Sequence, residues 1–377
     1  MTDSPPPSSF PSPASSSSSS GARAGATRLL SPEQIAVKAG HIVPFLRLPD
    51  PARAYAERAE RLEMLADGHP IGDYLRFVAR IAAAQQRLAD RYPELPLPDA
   101  DAIAAAADAI APPVPADGWS RSPRWIDGLR ELLGDVHATQ PAGPARELIG
   151  TLRATPAEHL QSQADRVLNG VTFGLDLASA PLIAAGLQVY WTTLVARTAA
   201  AHGADAFGRT RRATRCPCCG SAPVASIARI GAEQAGTRYL HCSLCAAQWH
   251  MVRVKCAHCE STKGIHYQEL SADDGPRSGG IDGSAGRNGA GASAASIVPG
   301  NHRNAKSAAV KAECCDECGH YLKIVYMERD PAVEPVADDL ATLSLDLLLT
   351  ESGRQPAGVN PMLWFGDSDE DGRRNND

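Results

Sequence analysis

The segment Cys216-Pro-Cys-Cys219 is the first of four Cys-x-x-Cys pairs, and these pairs decide how the C-terminal half of the chain folds. The other three are Cys242-Ser-Leu-Cys245, Cys256-Ala-His-Cys259 and Cys315-Asp-Glu-Cys318. A Cys-x-x-Cys turn directs two thiolates toward one metal ion from a single loop, and a second such turn completes a tetrahedral shell. Four pairs within about a hundred residues therefore predict two tetrathiolate metal sites.

The intervals between the pairs indicate which pairs belong together. The first two pairs are 22 residues apart and the last two 55, of which 36 form a Gly/Ser/Ala-rich segment, Ser271–Lys306. Without that segment, both intervals suit a short hairpin that returns the second turn to the first. The spacing favours a sequential arrangement, with Cys216, Cys219, Cys242 and Cys245 in one site and Cys256, Cys259, Cys315 and Cys318 in the other. A cross-braced arrangement of alternate pairs is the alternative, and it needs a more interleaved chain.

Metal ligation explains these cysteines better than disulfides do. All ten lie between Cys216 and Cys318, and no secretory signal is visible, so the protein is expected in the reducing cytoplasm. Four thiolates leave no open coordination position, which argues against metal-assisted hydrolysis. The ligand set alone does not choose between zinc and a single iron. We interpret five further residues as neighbours of the sites rather than ligands: Cys218, Cys314, His241, His250 and His258.

The overall composition gives no sign of nucleic-acid or membrane binding. A formal net charge of -6 and an isoelectric point near 6.0 give no global reason to expect either partner. The segment Leu177–Ala196 is uncharged over a bilayer-spanning length. Because Pro181, Gly186 and Gln188 interrupt it, we interpret it as a buried helix and predict no membrane span.

Residues 31–208 carry a helical pattern. Between Tyr74 and Leu88, apolar residues recur at helical spacing, and arginines lie outside the apolar stripe. Pro/Gly clusters separate this segment from its neighbours. Further helices are predicted over Ala52–Ala66, Ala100–Ala111, Trp125–Val136, Ala157–Leu168 and Leu182–Ala200. Their His and Asp residues are scattered singly, so the pattern indicates a multi-helical domain without a catalytic constellation.

After residue 208 the pattern changes to short β segments between the cysteine pairs. Strands are predicted over Val224–Ile230, Arg238–Leu240, Trp249–Val254 and Tyr321–Met327. A last helix is predicted over Val336–Thr350, with Leu340, Leu343, Leu347 and Leu348 on one face. The fold class is therefore a mainly α N-terminal multi-helical domain followed by two small, β-rich, zinc-ribbon-like metal modules, each with four cysteine ligands. The predicted order is a disordered Ser/Pro-rich leader (1–30), the helical domain (31–208), the first metal module (209–255), the second (256–330) with a flexible insertion (271–306), a C-terminal helix with its following segment (331–366), and a disordered tail (367–377).

Several separated motifs occur in the order typical of one known family. The first group is Arg238-Tyr-Leu-His-Cys-Ser-Leu-Cys245, Trp249-His250 and Val252-Arg-Val-Lys-Cys256. The second is Lys311-Ala-Glu-Cys-Cys-Asp-Glu-Cys318, Tyr321-Leu-Lys-Ile-Val325, Asp338-Asp-Leu-Ala341 and Val359-Asn-Pro361. Over roughly residues 216–366 the chain thus resembles the FdhE family of formate dehydrogenase accessory proteins.

The resemblance implies a cytoplasmic accessory protein, not an enzyme, that is required for active formate dehydrogenase. It implies contact with the molybdenum- or tungsten-containing catalytic subunit, and a helical domain joined to two rubredoxin-like modules. It carries the ligand role to the eight paired cysteines and favours iron, with zinc as the alternative. It assigns no catalytic residue and leaves the oligomeric state open. The Ser271–Lys306 insertion and the Ser/Pro-rich leader depart from the family pattern.

Two other classes of function remain alternatives at this stage. A zinc-ribbon nucleic-acid-binding protein would use the basic residues Arg209, Arg211, Arg212 and Arg215, although the aromatic spacing of an RNA-binding sheet is missing. A dithiol or iron redox protein is the second alternative. Thioredoxin-like chemistry would place one Cys-x-x-Cys at the end of a strand in an α/β unit, whereas four pairs occur here in metal-turn contexts.

Overall fold

The computed structural model describes residues 43–230, 236–271, 296–299 and 308–364. The predicted leader at 1–30, the tail at 367–377 and most of the insertion at 271–306 lie outside these residues. Over the described ranges the chain forms nine α-helices and nine strands. The helices of the first half pack together, and all strands belong to one sheet. This is the predicted fold class: a helical N-terminal region followed by a β-rich region with two cysteine clusters.

Seven helices build the N-terminal region. They are α1 (Ala54–Ala66), α2 (Gly72–Asp90), α3 (Ala100–Asp108), α4 (Arg124–Thr139), α5 (Pro144–Ala154), α6 (Ala157–Asn169) and α7 (Ala180–His202). All five predicted segments and the Tyr74–Leu88 stripe fall on helices. The stripe buries Leu75, Val78 and Ile81 in the core. Helix α5 was not predicted, and it buries only Ile149 and Leu152.

Helix α7 is the central helix of the core. Every residue from Ala180 to Val195 is buried, which explains the absence of charge there. Gly186 lies at the crossing with α4, where a Cβ would stand 2.9 Å from Leu129 Cδ1. The interpretation as a buried helix is therefore correct. Among the described helices, none combines the length and apolar character needed to cross a bilayer.

The strands form a continuous sheet. They are β1 (Leu46–Arg47), β2 (Pro223–Ala228), β3 (Arg238–Cys242), β4 (Gln248–His250), β5 (Ile265–Ser271), β6 (Ser296–Pro299), β7 (Val310–Cys315), β8 (His320–Tyr326) and β9 (Gln355–Pro356). Their order is β1-β4-β3-β2-β8-β7-β5-β6, and β9 pairs with β8. Strand β6 lies inside the segment predicted to be a flexible insertion and pairs antiparallel with β5.

The two cysteine-bearing modules repeat one strand pattern within this sheet. Each module contains a cysteine turn, a strand, a second strand leading into the next turn, and a closing strand. Across the sheet these strands are ordered β4-β3-β2 and β8-β7-β5. In both modules the order is thus closing strand, second strand, first strand. Parallel pairing of β2 with β8, from Ser226↔Ile324 to Ala228↔Tyr326, joins them. What was expected as two neighbouring modules is thus one sheet.

The predicted single helix over Val336–Thr350 is wrong. Two helices occupy this segment, α8 (Pro335–Ala341) and α9 (Leu343–Glu351), and the helix is interrupted at Thr342. The buried Lys323 ammonium explains the break, because its Nζ donates to the Asp339 carbonyl at 2.6 Å and to Thr342 Oγ1 at 3.2 Å.

The predicted apolar face of that helix is also wrong. Leu340 is buried as expected, but the break at Thr342 rotates the second helix. As a result Leu345 and Leu349 enter the core, and Leu347 is 55% exposed.

Candidate metal centres

The first four paired cysteines converge at the junction of the helical region and the sheet. The Sγ atoms of Cys216 and Cys245 are 3.5 Å apart, and those of Cys219 and Cys242 are 3.4 Å apart. All four sulfurs lie within 4.8 Å of one another, and all four residues are buried. The first and second pairs therefore form one group, as the sequential arrangement predicts.

The last four paired cysteines form a second group at the far module. Here Cys256 and Cys318 place their sulfurs 3.7 Å apart, and Cys259 and Cys315 place theirs 3.8 Å apart. These four sulfurs also lie within 4.8 Å of one another. The cross-braced alternative is not the arrangement found.

The sulfur spacing fits a tetrahedral metal ion. Metal–sulfur bonds of about 2.3 Å in tetrahedral geometry place the sulfurs about 3.8 Å apart. A disulfide would require about 2.05 Å, and all ten cysteines are free thiols. Two four-cysteine groups able to hold an ion are therefore present, and their donor set suits zinc and iron equally.

A left-handed residue closes each of the four cysteine turns. The residue after the second cysteine has a positive φ in every case: +77° at Gly220, +58° at Ala246, +63° at Glu260 and +73° at Gly319. At Gly220 the N–H donates to the Cys216 carbonyl at 2.8 Å, and at Gly319 the N–H donates to the Cys315 carbonyl at 2.9 Å. This backward hydrogen bond folds the loop so that both thiols point to the same side.

Backbone N–H groups also point at the sulfurs. Cys242 Sγ accepts from the N–H groups of Leu244 and Cys245, both at 3.4 Å. Cys256 Sγ accepts from His258 at 3.3 Å and Cys259 at 3.5 Å. Donors aimed at a sulfur favour its ionised form, which is the form that binds metal.

The first site is tied directly to the helical region. The carbonyls of Cys218 and Cys219 accept from Val114 N–H at 3.2 Å and Ala116 N–H at 2.8 Å. From α7, Gln188 Nε2 donates to the Ser243 carbonyl at 2.7 Å. Both turns of this site are therefore held by residues of the helical region. The second site lies at the surface, with Cys259 exposed and Cys318 half-buried.

Electrostatics at the first site favour a bound cation. Burial raises the pKa of Cys216, Cys242 and Cys245 well above the ordinary thiol range. Burial alone would also raise the pKa of Cys219, but hydrogen bonds from the other three thiols outweigh it and lower that pKa. Four buried thiolates repel one another, so full ionisation requires positive charge at their centre.

His241 lies beside the first site without joining it. Its side chain is 5% exposed, and its Nδ1 accepts from Gln248 Nε2 at 3.1 Å. Burial, with the nearby charges of Arg58 and Arg229, lowers its pKa to about 3. It belongs to neither four-cysteine group, which agrees with its interpretation as a neighbour.

Two further histidines stack against each other at the second site. The rings of His258 and His320 are nearly parallel, with centroids 3.6 Å apart. Together with Cys318 they bring their donor atoms within 4.8 Å of one another, a group that overlaps the second site. His320 was not predicted from the sequence, where its only signal is its position two residues after Cys318.

The two unpaired cysteines lie beside the ligand groups without belonging to them. Cys218 is buried next to the first site, and Cys314 is buried in a small apolar cluster with Tyr321 and Leu345. Neither belongs to a four-cysteine group. The interpretation of both as neighbours of the sites agrees with their positions.

Comparison with known proteins identifies the family. Family models match the chain in three stretches, described as "FdhE, N-terminal" over residues 43–205, "FdhE, central domain" over 215–253 and "FdhE, C-terminal domain" over 294–363. The central match contains both turns of the first site. The turn at Cys256 and Cys259 lies between the central and C-terminal matches.

Curated relatives and a solved structure agree with the family models. A Protein FdhE homolog from Cronobacter sakazakii is 35% identical over 332 residues, covering 88% of this chain and 95% of that protein. A Protein FdhE homolog from Edwardsiella ictaluri is 37% identical over 328 residues, covering 87% of this chain and 94% of that protein. The crystal structure of the FdhE protein from Pseudomonas aeruginosa matches with a TM-score of 0.65 and 32% identity, over 86% of this chain and 100% of that one. The chain therefore belongs to the FdhE family.

Proposed function

We propose that this chain is a non-enzymatic accessory protein required for the formation of active formate dehydrogenase. In this proposal it binds the catalytic subunit of that enzyme in the cytoplasm, through a scaffold that two metal ions stabilise. The observation that carries the proposal is the pair of closed four-cysteine groups in a chain of the FdhE family. A closed tetrahedral shell stabilises a fold and leaves no position for a substrate.

The eight paired cysteines are proposed as the ligands of these ions, with iron favoured and zinc as the alternative. A bound ion would hold the two turns of each site together, and iron would add a one-electron redox change. The first site would thereby stabilise the junction between the sheet and the helical region. The second would stabilise a module that faces solvent, where a partner has access to it.

The structure does not favour the nucleic-acid alternative, because two of the four arginines that suggested it contact neighbouring elements of the protein. The guanidinium of Arg209 lies over the Phe45 ring at 4.1 Å. Arg211 donates from Nε to the Ala109 carbonyl at 3.1 Å. These contacts tie the basic segment before the first cysteine turn to neighbouring elements.

A dithiol redox role is also less well supported. An active dithiol uses the two sulfurs of one Cys-x-x-Cys motif. Here the close sulfur contacts run between different turns, as with Cys216 and Cys245 or Cys219 and Cys242. That geometry favours a shared ion over an internal disulfide.

Copurification tests the proposed function. The tagged full-length chain is purified under anaerobic conditions from cells that produce formate dehydrogenase, and bound proteins are identified by mass spectrometry. We expect the catalytic subunit to be recovered with the wild type and with Cys314→Ala, which changes a buried thiol outside both sites.

Cys245→Ser removes a proposed ligand of the first site and should reduce recovery of the subunit. If the wild type retains no catalytic subunit under these conditions, the accessory role is wrong. If all three proteins retain it equally, the subunit binds without help from the metal-stabilised scaffold.

A further inference from the structure

A polar cavity of about 580 Å³ lies beside the first cysteine group, and its lining includes His241, which precedes Cys242, and Ala246, which follows Cys245. Its wall is formed by β1 and most of the length of α1, by the edge of the first module, and by the segment that leads into α8. The proposed accessory role gives this cavity no part. Cavities of this size hold small molecules in other proteins.

Strand register places three polar residues side by side in this wall. Arg47 on β1 is opposite Gln248 on β4, and Gln248 is opposite His241 on β3. Arg229 follows β2, and its Nη1 donates to Gln248 Oε1 at 2.7 Å. All four residues line the cavity. Two guanidiniums, an amide and an imidazole thus share one side of it.

Three arginines of the wall have carboxylate partners. Arg53 pairs with Glu57 at 2.7 Å, Arg58 with Glu334 at 3.1 Å and Arg61 with Asp338 at 2.6 Å. The wall also contains the carboxylates of Asp50 and Glu60.

Arg229 differs from these arginines. No carboxylate of the described residues lies within ion-pair distance of its guanidinium. Burial and the positive charge of Arg47 lower its pKa. An anion bound in the cavity would offset both effects.

His241 contributes an unused hydrogen-bond donor. Gln248 presents its Oε1 to Arg229, so its Nε2 faces His241 and donates to Nδ1 of the ring. An Nδ1 that accepts a hydrogen bond leaves the ring proton on Nε2. This Nε2 is buried without a partner among the described residues. Buried donors of this kind are uncommon and are costly to leave unpaired.

We propose that this cavity binds an anionic small molecule through a phosphate or carboxylate group held by Arg229, Arg47 and the Nε2–H of His241. Guanidiniums bind both groups through paired, charge-assisted hydrogen bonds. The imidazole supplies one further donor to the same group. This inference does not depend on the accessory role, since the binding that it describes needs no partner protein.

Binding to the metal-loaded full-length chain tests the proposal. Inorganic phosphate and citrate are titrated separately, with potassium chloride at matched ionic strength as the screening control, and binding is followed by calorimetry and by the shift in melting temperature. We expect saturable binding of one or both anions and no such effect of chloride. Binding of phosphate alone assigns a phosphate-bearing ligand, and binding of citrate alone assigns a carboxylate.

Matched variants locate the site. Arg229→Gln should raise the measured Kd by about tenfold or more, since it removes a charge-assisted contact to the anion. Arg124→Gln removes one positive charge from an exposed position outside the cavity and should bind as the wild type does. If Arg229→Gln fails to fold by circular dichroism, Arg47→Gln takes its place. The proposal is overturned if neither anion binds saturably, or if the cavity and control variants bind alike.

Discussion

At the scale of single residues, the cysteine turns depend on a backbone conformation that glycine adopts most easily. Two turns place Gly220 and Gly319 at the left-handed position, whereas the other two place Ala246 and Glu260 there. The left-handed conformation costs a residue with a Cβ roughly 1–2 kcal/mol. The turns at Ala246 and Glu260 are therefore strained, and a bound ion would help to hold them in that conformation.

We expect a glycine-to-alanine change and an alanine-to-glycine change at this position to have opposite effects on the free energy of unfolding. Gly319→Ala should lower the free energy of unfolding by about 1 kcal/mol, because a Cβ there meets no atom within 4 Å and adds only backbone strain. Ala246→Gly should raise the free energy of unfolding by up to about 1 kcal/mol. Urea denaturation of the metal-loaded protein measures both. A shift of the free energy of unfolding in the same direction for both variants would contradict the strain at these positions.

Buried ion pairs explain two of the motifs that marked the family. Asp338 accepts from Arg61 Nε at 2.9 Å and Nη2 at 2.6 Å, which joins α8 to α1. Asp339 accepts from Asn360 at 2.8 Å and pairs with Lys323 at 3.1 Å. The motifs at 338–341 and 359–361 therefore form one polar network that fixes the C-terminal helices onto the sheet and the helical region.

Asp338→Ala should lower the free energy of unfolding by about 3 kcal/mol, because it leaves a buried guanidinium with a partner missing. Arg61 keeps its contact with Asp330 at 2.8 Å, so the loss falls at the low end for a broken buried pair. The double change Arg61→Met with Asp338→Leu removes both charges and should cost less than the single change. Denaturant unfolding of the three proteins would contradict this if the double variant were the least stable.

At the scale of elements, the joint between the two modules is covered by the chain after α9. Ala357 N–H donates to the Tyr321 carbonyl at 2.7 Å, and Val359 N–H donates to the Pro223 carbonyl at 3.0 Å. The segment thus bonds to β8 on one side and β2 on the other. Between these bonds lies Gly358, where an added Cβ would collide with the Val224 carbonyl oxygen. Only glycine allows this close approach.

Gly358→Ala should therefore lower the free energy of unfolding by about 1–3 kcal/mol, since the obstructing atom is backbone and has little freedom to move. Gly208→Ala is the matched control, because a Cβ there meets nothing within 4 Å and its φ is not positive. Thermal unfolding of both variants tests the joint. Equal melting temperatures for the two would show that the segment does not hold the modules together.

Local signals predicted the cysteine groups and most helices, but not the full sheet. Each Cys-x-x-Cys turn is defined by four consecutive residues, so the spacing alone indicated the correct grouping. Strand β7 was missed because Lys311 and Glu313 interrupt its apolar pattern, although both are buried and pair with Glu269 and Arg238. The β2–β8 pairing joins residues about a hundred positions apart, and nothing in either strand predicts it.

At the scale of the whole molecule, the two cysteine groups are unequal. The first is buried between the helices and the sheet, and its turns form hydrogen bonds with residues of both regions. The second has exposed Cys259 at its edge. A competing ligand can reach a metal ion only by displacing a thiolate, so access to the sulfur governs the rate of removal.

We expect a chelator to remove metal in two phases, with the second site emptied first. The release of metal ions from the protein is followed with a chromophoric chelator under anaerobic conditions. Cys259→Ser should eliminate the fast phase and leave the slow phase unchanged. Release of both ions in one phase, or loss of the slow phase in Cys259→Ser, would contradict the difference in access.

We expect eight thiolates to close around two ions, and metal analysis of anaerobically purified protein tests this most directly. Optical spectroscopy distinguishes the metals, because ferric tetrathiolate absorbs visible light and zinc does not. We expect two ions per wild-type chain and per Cys314→Ala chain, and one in Cys245→Ser or Cys259→Ser. A folded wild-type protein that contains neither iron nor zinc, with all eight paired thiols free to react, would contradict the account.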